Sequence, residues 1–507
     1  MRWLKPWLHK RLILPPLLVA VCALFLGACA PEPVAPNGAT PSVALAVLPF
    51  TMPAVSPDTN WFSDGVSREL IDALGRNAGL RVTAWQSTRR FHASTRHTAA
   101  IGEELHVAAL LRGTLLAQGD QTVVFTELID ALSGRTIWSQ SYSGSLTSLL
   151  ATEAHIARDV GVALHAGAGP TYATPKVDPK AHELVLRARA LLWSAHDASE
   201  VATARLAAGK AAALDSGYSE AHAVLAQAWM NIVLNMPSTL QQASALPKAR
   251  AEAEQALALD PDNIDALYAL GNVDFNSNEP AQARTEYARV VALDPSEAQA
   301  HMALGDLMPD LPSMRNEFAI ATQLDPFDAT AQNNLADACL DLGQYQQALS
   351  AAAAYSGLQP RNVDAAYLLA LTDTLQHRDQ DAVNAFDIPP PPSLPARQLD
   401  DAGRLAYRSR LDPALRGRAE AAVSALQRWS SISPTFTADL LQAELVLGED
   451  QAALVQLPSL CAASPVACSD LGRFPLWLPL HGKRRFEVLV KKYDTISQPL
   501  ASAPTSR

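Results

Sequence analysis

The residues that could do chemistry in this 507-residue sequence do not fall into a recognised catalytic spacing. No lysine is preceded at minus three by serine, and neither HExxH nor G-x-S-x-G occurs. The Gly-Lys pairs at 209–210 and 482–483 are not followed by the Ser or Thr of a phosphate-binding loop. His92 and His97 are the closest of twelve histidines, and no carboxylate cluster accompanies them. We therefore expect no catalytic residue, no metal site and no cofactor, and we predict that the chain is not an enzyme.

The five cysteines fall into three groups. Cys22 and Cys29 lie near the N-terminus, and Cys339 falls at a predicted helix-packing position, where a buried thiol acts as a small hydrophobic side chain. In an oxidising compartment Cys461 and Cys468 either form a disulfide around Pro465 or remain two separate thiols.

The N-terminus reads as a secretory signal. Basic residues precede a 17-residue apolar run at 12–28, which is short for a membrane-spanning helix. The string Leu26-Gly27-Ala28-Cys29 resembles the lipobox of bacterial lipoproteins, and this resemblance implies cleavage after residue 28 and acylation of Cys29. Ala30, where inner-membrane retention uses Asp, favours the outer membrane over the inner. An uncleaved single-pass anchor is the alternative.

Charge argues against nucleic acid as a partner. The chain carries a net charge of −11, and removal of residues 1–28, which contain four basic residues and no acidic one, would leave −15. Sequence-independent phosphate binding needs a basic surface. We expect the mature chain to begin with a Pro-rich tether at 29–41.

Residues 42–165 predict a small α/β domain. Apolar strand patterns occur at 43–50, 80–84, 107–117, 122–129 and 135–142, with a turn at Gly119-Asp120. Helical spacing follows Ser63-Asp64, and further helices are predicted at 98–105 and 149–164. Ser63 or Asp64 is expected to cap its helix; contact with a ligand at that helix N-terminus is the alternative.

The order of these segments resembles the TolB N-terminal-like domain. The strings that carry the resemblance are WFSDGVSREL (61–70), LRVTAWQST (80–88), IGEELHVAALLRGTL (101–115) and ELIDALSGRTIWSQSY (127–142). That domain is found in flagellar-associated outer-membrane lipoproteins and in the periplasmic halves of CadC-like and cyclase-like regulators. The resemblance implies an α/β fold and an envelope setting.

After a linker at 166–179, a repeat is evident through 180–388. Pro261, Pro295, Pro326 and Pro360 recur at intervals of 34, 31 and 34 residues, and a 34-residue period is typical of tetratricopeptide repeats. Segment 264–295 resembles that family most clearly. Its packing positions are Leu267, Leu270, Gly271, Ala283 and Tyr287. We predict an all-α solenoid.

A stack of such repeats leaves a concave groove lined by the first helix of each repeat. Positional matching to the repeat family places seven side chains there, which are Tyr268, Asn272, Asn276, Met302, Asp306, Asn333 and Asp337. We predict that they bind a protein partner. Asp306 and Asp337 favour a basic or neutral partner.

The C-terminal part continues in helices. Prolines at 389–395 predict a rigid break, which we assign to 389–397, followed by a helical region at 398–494 and a disordered tail at 495–507. Trp477 and Phe486 are expected to close the open apolar end of the array.

Together these features predict a non-enzymatic, lipid-anchored envelope adaptor that binds protein partners through its repeats. The alternative is a periplasmic sensor that binds a small ligand in the α/β domain.

Overall fold

The computed structural model describes residues 42–53, 60–92, 94–118, 121–145, 149–170, 177–195, 197–235, 239–429 and 433–494. All of them belong to one compact unit that spans Ser42–Arg507. The signal segment 1–28, Cys29 and the tether, the Gly119-Asp120 turn and the tail 495–507 lie outside these residues. Among the helices in the described ranges, none has the length and apolar character needed to cross a bilayer.

Five strands form a single mixed sheet. They are β1 (Val43–Val47), β2 (Leu80–Val82), β3 (Ala109–Gln118), β4 (Gln121–Asp130) and β5 (Thr136–Ser145). Their spatial order is β2-β1-β3-β4-β5, with β1 parallel to both of its neighbours and β3, β4 and β5 antiparallel. Strand β1 ends two residues before Pro49, which has no N–H to donate to a ladder.

Four helices accompany the sheet, and they cover its two faces unequally. They are α1 (Asn60–Gly75), α2 (Trp85–Thr88), α3 (Thr98–Leu105) and α4 (Leu149–Ala163). Leu45 and Val47 belong to the core shared with α1 and α4, whereas Ala46 packs with α3 residues on the opposite face. Strand β1 is therefore buried on both faces, which explains its continuous apolar run.

The first turn of α1 differs from the prediction that Ser63 or Asp64 caps it. The helix begins at Asn60, so both residues lie inside its first turns. Ser63 is buried, and its carbonyl accepts a 2.7 Å hydrogen bond from the Ser67 hydroxyl. Burial raises the pKa of Asp64 above its ordinary value, and the nearby His92 and Arg89 reduce this increase.

Paired helices form the next part of the chain. They are α5 (Pro179–Ser194), α6 (Ala198–Leu214), α7 (Ser219–Asn235), α8 (Thr239–Leu259), α9 (Ile264–Asn276), α10 (Pro280–Leu293), α11 (Ala298–Gly305), α12 (Leu311–Leu324), α13 (Ala329–Asp341), α14 (Tyr345–Leu358), α15 (Val363–Leu375) and α16 (Asp379–Asn384). Odd-numbered helices from α5 to α15 are the first helices of their repeats.

Close helix approach at a glycine explains the repeat pattern. A Cβ placed on Gly271 of α9 would lie 2.6 Å from the ring of Tyr287 on α10. Gly305 of α11 stands in the same relation to Phe318 of α12, at 2.5 Å. Helix α11 has only eight residues, and its repeat is the one with the shorter interval of 31 residues between Pro295 and Pro326.

The C-terminal helices begin earlier than predicted. Helix α17 (Leu394–Leu411) starts inside the expected break at 389–397, because Pro395 occupies the first turn, where a missing N–H costs nothing. The Ser393 hydroxyl accepts from the backbone N–H of Ala396 at 3.2 Å and caps this helix. The remaining helices are α18 (Arg416–Leu426), α19 (Pro434–Val446), α20 (Asp450–Ala463) and α21 (Arg484–Tyr493).

The last segment packs onto the repeat array. Trp477 and Phe486 are buried in one apolar cluster with Cys339 and Leu340 of α13. Cys461 and Cys468 are joined in a disulfide with their Cα atoms 5.4 Å apart. Cys339 is a free buried thiol, and burial raises its pKa to about 11.

Candidate protein-interaction surface

The sheet domain packs directly on the repeat array through α1 and residues 81–91. We call this contact the domain interface. On the repeat side it includes Arg189, Trp193, Glu220, Asp265, Asp294, Ser296, Glu297, Leu324, Asp325 and Phe327. The sheet domain of the same chain therefore covers part of the surface formed by the first helices of the repeats that precede Phe327.

A buried arginine lies at the centre of the domain interface. Arg189 of α5 is 6% exposed and forms ion pairs with Glu69 of α1, Glu220 of α7 and Asp265 of α9. The Arg189–Glu69 distance is 3.4 Å, and the Gln227 amide donates to Asp265 at 2.9 Å. One guanidinium thus joins the sheet domain to three successive first helices.

A second arginine extends the same network. Arg68 Nε lies 2.8 Å from Asp72 on its own helix, and its Nη2 lies 3.4 Å from Glu297 before α11. The guanidinium of Arg68 also stacks over the ring of Trp193, 5.4 Å from the centroid.

The electrostatics of the network keep its arginines charged. Burial lowers the pKa of Arg189, but the carboxylates of Asp265 and Glu220 outweigh burial and hold it well above its ordinary value. Burial raises the pKa of Asp265, but Arg189 and Arg68 outweigh it and keep that pKa below its ordinary value. Burial raises the pKa of Glu220 to about 7 despite Arg189. Burial thus favours the neutral form of Glu220, whereas the two arginines favour the charged form of Asp265.

Backbone groups of the sheet domain also bond to the repeats. The N–H of Val82 donates to Ser296 Oγ at 3.0 Å, and the N–H of Ala84 donates to the carbonyl of Leu324 at 2.8 Å. The hydroxyl of Ser87 donates to Asp325. At Gly75 an added Cβ would lie 2.5 Å from Asp294. These contacts hold the sheet domain close to the repeats.

The seven residues predicted to line the groove fall into different environments. Tyr268 is half-buried against Tyr287, with ring centroids 5.6 Å apart, and burial raises the pKa of Tyr268 to about 12. Asn272 is half-buried and accepts a 2.9 Å hydrogen bond from the Tyr287 hydroxyl. Met302 packs inside a cluster with Phe318 and is 9% exposed. Tyr268 and Met302 therefore serve mainly as packing residues.

The others present polar groups along α9, the end of α11 and α13. Asn276 is exposed and donates to the carbonyl of Asn272 at 2.8 Å. Asp306 is exposed and accepts from Asn334 at 3.4 Å, and Asn333 donates to Asp337 at 3.4 Å. We call this set the polar row, and its members are Asn272, Asn276, Asp306, Asn333, Asn334 and Asp337.

One end of the polar row meets a group of carboxylates. Burial and the nearby Asp470 raise the pKa of Asp337 to about 7 and that of Asp341 to about 8. Burial and Asp494 raise the pKa of Asp470 to about 7. Oδ1 atoms of Asp341 and Asp470 are buried without a hydrogen-bond partner. Within the described ranges, no three His, Cys, Asp or Glu side chains come together as metal ligands.

Sequence reasoning did not identify the Arg189 network. Arg189 and Glu69 lie 120 residues apart in the sequence, so no local spacing connects them. Glu220 and Asp265 each occupy the first turn of a helix, where acidic residues commonly complement the helix dipole. The acidic residue that recurs in the first turn of these two successive first helices was the sequence feature that could have indicated the network.

A separate cleft opens on the face of the sheet away from α1 and α4. It has a volume of about 810 Å³, and its lining includes Arg112, Thr114, Phe125, Glu127, Thr136 and Ser141. Arg112 pairs with Glu127 at 2.6 Å. The Thr136 hydroxyl and Arg112 hold the pKa of Glu127 below its ordinary value.

Two family models match parts of the chain. Residues 240–307 match a model described as "Tetratricopeptide repeat", and residues 41–153 match one described as "HilA/YgeH-like transcriptional regulator, second domain". The prediction of a tetratricopeptide-type helical region after a small sheet domain is confirmed. The TolB-like identity of residues 42–165 stays a prediction, because the model that matches there has another description.

One curated relative is similar over about half of the chain. It is "Putative adenylate cyclase 3" of Rhizobium meliloti (strain 1021), 27% identical over 251 residues. The match covers 48% of this chain and 41% of the relative, so the chain spans less than half of that protein.

This comparison corrects one prediction. This finding contradicts the prediction that the chain is not an enzyme, because the similar protein is named as a putative cyclase. The sequence motifs considered above were those of hydrolases, phosphate-binding loops and metal sites, and they do not include the motifs of cyclases.

Solved structures resemble the helical region only in part. They include Pseudomonas aeruginosa pilF (17% identity, TM-score 0.34, covering 41% of this chain and 90% of that chain). A tetratricopeptide repeat protein from Parabacteroides merdae ATCC 43184 is 13% identical, with a TM-score of 0.32 and coverage of 52% and 98%. YrrB, described as having an unusual peptide-binding site, is 20% identical, with a TM-score of 0.29 and coverage of 36% and 89%.

Proposed function

We propose that this chain is a lipid-anchored scaffold of the bacterial cell envelope that holds a protein partner on its polar row. In this proposal acyl chains on Cys29 fix it in the outer membrane, and the repeats face the periplasm. The observation that carries the proposal is the polar row itself. Its side chains follow consecutive first helices, and Asn276 and Asp306 are exposed.

The chemistry of the polar row suits an extended peptide segment. Asparagine amides both donate and accept, so they can bond the backbone N–H and C=O groups that an extended chain leaves free. The carboxyl groups of Asp306 and Asp337 favour a basic or neutral segment over an acidic one, and a basic segment would favour the charged form of Asp337, whose pKa burial raises to about 7. Since the sheet domain occupies the domain interface, the partner binds on the part of the array that remains open.

Site-specific photo-cross-linking in cells tests partner binding. A photo-reactive residue at Asn276 is expected to give an adduct with a defined envelope protein. The matched control is Glu254, an exposed residue on the second helix α8, where no such adduct is expected. Equal adducts at both positions, or none at Asn276, would overturn the proposal.

Metabolic labelling tests the anchor. The wild-type chain is expected to incorporate labelled palmitate and to sediment with outer membranes, whereas Cys29→Ala is expected to do neither, because a chain without acyl groups has no lipid to hold it. A wild-type chain that takes up no label contradicts the lipid anchor without bearing on the polar row.

The open cleft favours a second candidate, a sensor that binds a small polar ligand in the sheet domain. Hydroxyl groups and the Arg112–Glu127 pair line the cleft. A screen of small polar metabolites by thermal melting of the full chain tests it, with Thr114→Trp as the variant that fills the cleft. A ligand that raises the melting temperature of the wild type but not of the variant supports this candidate, and equal shifts contradict it.

A further inference from the structure

The two edges of the sheet differ in how they are covered. Strand β2 has three residues, and its Val82 and Arg81 bond to Ser296 and Gln323 of the repeats. Strand β5, at the opposite edge, has ten residues and pairs only with β4 among the strands of the described chain. An outer strand of this length presents a row of backbone N–H and C=O groups that can pair with another strand.

From Trp138 to Ser145, strand β5 lacks the features that usually prevent such pairing. Its sequence, TIWSQSYSGS, contains no charged residue and no proline. The one irregularity in its ladder lies near its start, between Leu128 and Ile129 of β4, and pairing is regular from Trp138 to Ser145. Ser139, Gln140 and Ser141 at its centre are exposed. Natural edge strands are usually protected by Lys, Pro or a bulge.

We propose that β5 pairs antiparallel with β5 of a second copy of this chain, about a two-fold axis at Gln140. Trp138 and Tyr142 contact the core under α1 and α4, and each lies two positions from Gln140. Residues directly opposite in an antiparallel ladder share a face, so this register places Trp138 opposite Tyr142 twice. Ser139 then lies opposite Ser141 on the other face.

Self-complementarity is the argument for a second copy over another occupant. The register preserves the face of every side chain and keeps both helix layers on one side, so two five-stranded sheets become one continuous sheet. Aromatic pairs across strands stabilise an antiparallel ladder more than Ala pairs do. The tether at 30–41 is a poor alternative, because prolines at 31, 33, 36 and 41 lack the N–H donors that a ladder needs.

Cysteine cross-linking of the full chain tests the register. Gln140→Cys faces itself across the axis, so oxidation is expected to give a dimer on a non-reducing gel. Ser139→Cys faces Ser141 and is expected to cross-link well only when mixed with Ser141→Cys. The native cysteines are the same in every sample, so the wild type is the control. Efficient cross-linking of Ser139→Cys alone, with none for Gln140→Cys, overturns the register.

Charge variants test the pairing without new covalent bonds. In sedimentation velocity the wild type is expected to be a dimer, and the double variants Ser139→Lys/Ser141→Lys and Ser139→Glu/Ser141→Glu are each expected to be monomers. An equimolar mixture of the two variants is expected to restore the dimer. Circular dichroism checks that both remain folded. A monomeric wild type, or a dimer that both variants leave intact, overturns the proposal.

Discussion

At the scale of single residues, Arg189 is the central side chain in the contact between the sheet domain and the repeats. It is nearly inaccessible to water, and its partners come from α1, α7 and α9. A buried charge is tolerable only with such partners, because its desolvation is unfavourable by several kcal/mol. Removal of the arginine leaves Asp265 and Glu69 buried without their cation.

Arg189→Met is therefore expected to lower the free energy of unfolding by about 3–5 kcal/mol, the range for breaking a buried ion pair. Urea denaturation followed by circular dichroism measures it. Arg187→Met on the same helix is the matched control, since Arg187 is exposed and its loss is expected to change stability by less than about 0.5 kcal/mol. Similar losses in the two variants would contradict the central role of Arg189.

The raised pKa values near the polar row give a pH prediction. Asp341 has an ordinary pKa of 3.8 and a folded pKa of about 8, so folding favours its neutral form. Its contribution to stability is present at low pH and is lost as pH rises through this window. Asp341→Asn is expected to match the wild type near pH 4 and to be more stable at pH 8. The expected gain is about 1–2 kcal/mol, equivalent to roughly one pKa unit after solvent screening.

Unfolding free energies between pH 4 and pH 8 check this prediction. Asp401→Asn is the control, because Asp401 is exposed on α17, away from the carboxylate group, and is expected to leave the pH profile unchanged. A gain for Asp341→Asn that is the same at both ends of the range is the contrary result.

At the scale of elements, the contact between paired helices is set by small residues. Gly271 allows α9 to approach the Tyr287 ring on α10, and Ala283 is fully buried in the same pair. This pattern could be predicted from the sequence because Gly271, Ala283 and Tyr287 occupy packing positions of the tetratricopeptide repeat.

Gly271→Ala is expected to destabilise the chain by about 1–3 kcal/mol, because its Cβ would overlap the Tyr287 ring and overpack the helix pair. Gly209→Ala on α6 is the matched control. No atom lies within 4 Å of its added Cβ, so alanine is expected to stabilise that helix by about 0.5–1 kcal/mol. Opposite signs in thermal melting support the assignment of repeat positions; two stabilising changes refute it.

Element boundaries were predictable only where a local signal sets them. The α3 range agrees with the helix predicted at 98–105, but α17 begins before the predicted end of the Pro-rich break because Pro395 fits a first helical turn. Similarly, Ser63 and Asp64 have the chemistry of a cap, yet α1 starts at Asn60. Proline suits both a break and a first helical turn, and Ser or Asp suits both a cap and a position inside a helix. Packing decides between the two positions in each case.

At the scale of the whole molecule, the sheet domain and the repeats form one body. A contact such as Val82 to Ser296 joins residues 214 positions apart, and no period or motif in either segment indicates it. From the sequence alone, the first helices of all the repeats would be open to a partner, whereas the domain interface leaves the polar row as the available part. The repeat pattern was enough to predict the helical fold. The polar row could be located only from the tertiary contacts between the sheet domain and the repeats.

The most direct test of this account measures the affinity of the cross-linked partner, once purified, for three forms of the chain. Asp306→Lys/Asp337→Lys is expected to weaken binding at least about tenfold, equivalent to 1.4 kcal/mol, because it places a positive charge at both carboxyl positions of the polar row. Glu254→Lys/Asp401→Lys makes the same charge change at exposed positions outside the row and is expected to bind like the wild type. Equal affinities for all three folded forms would contradict binding at the polar row.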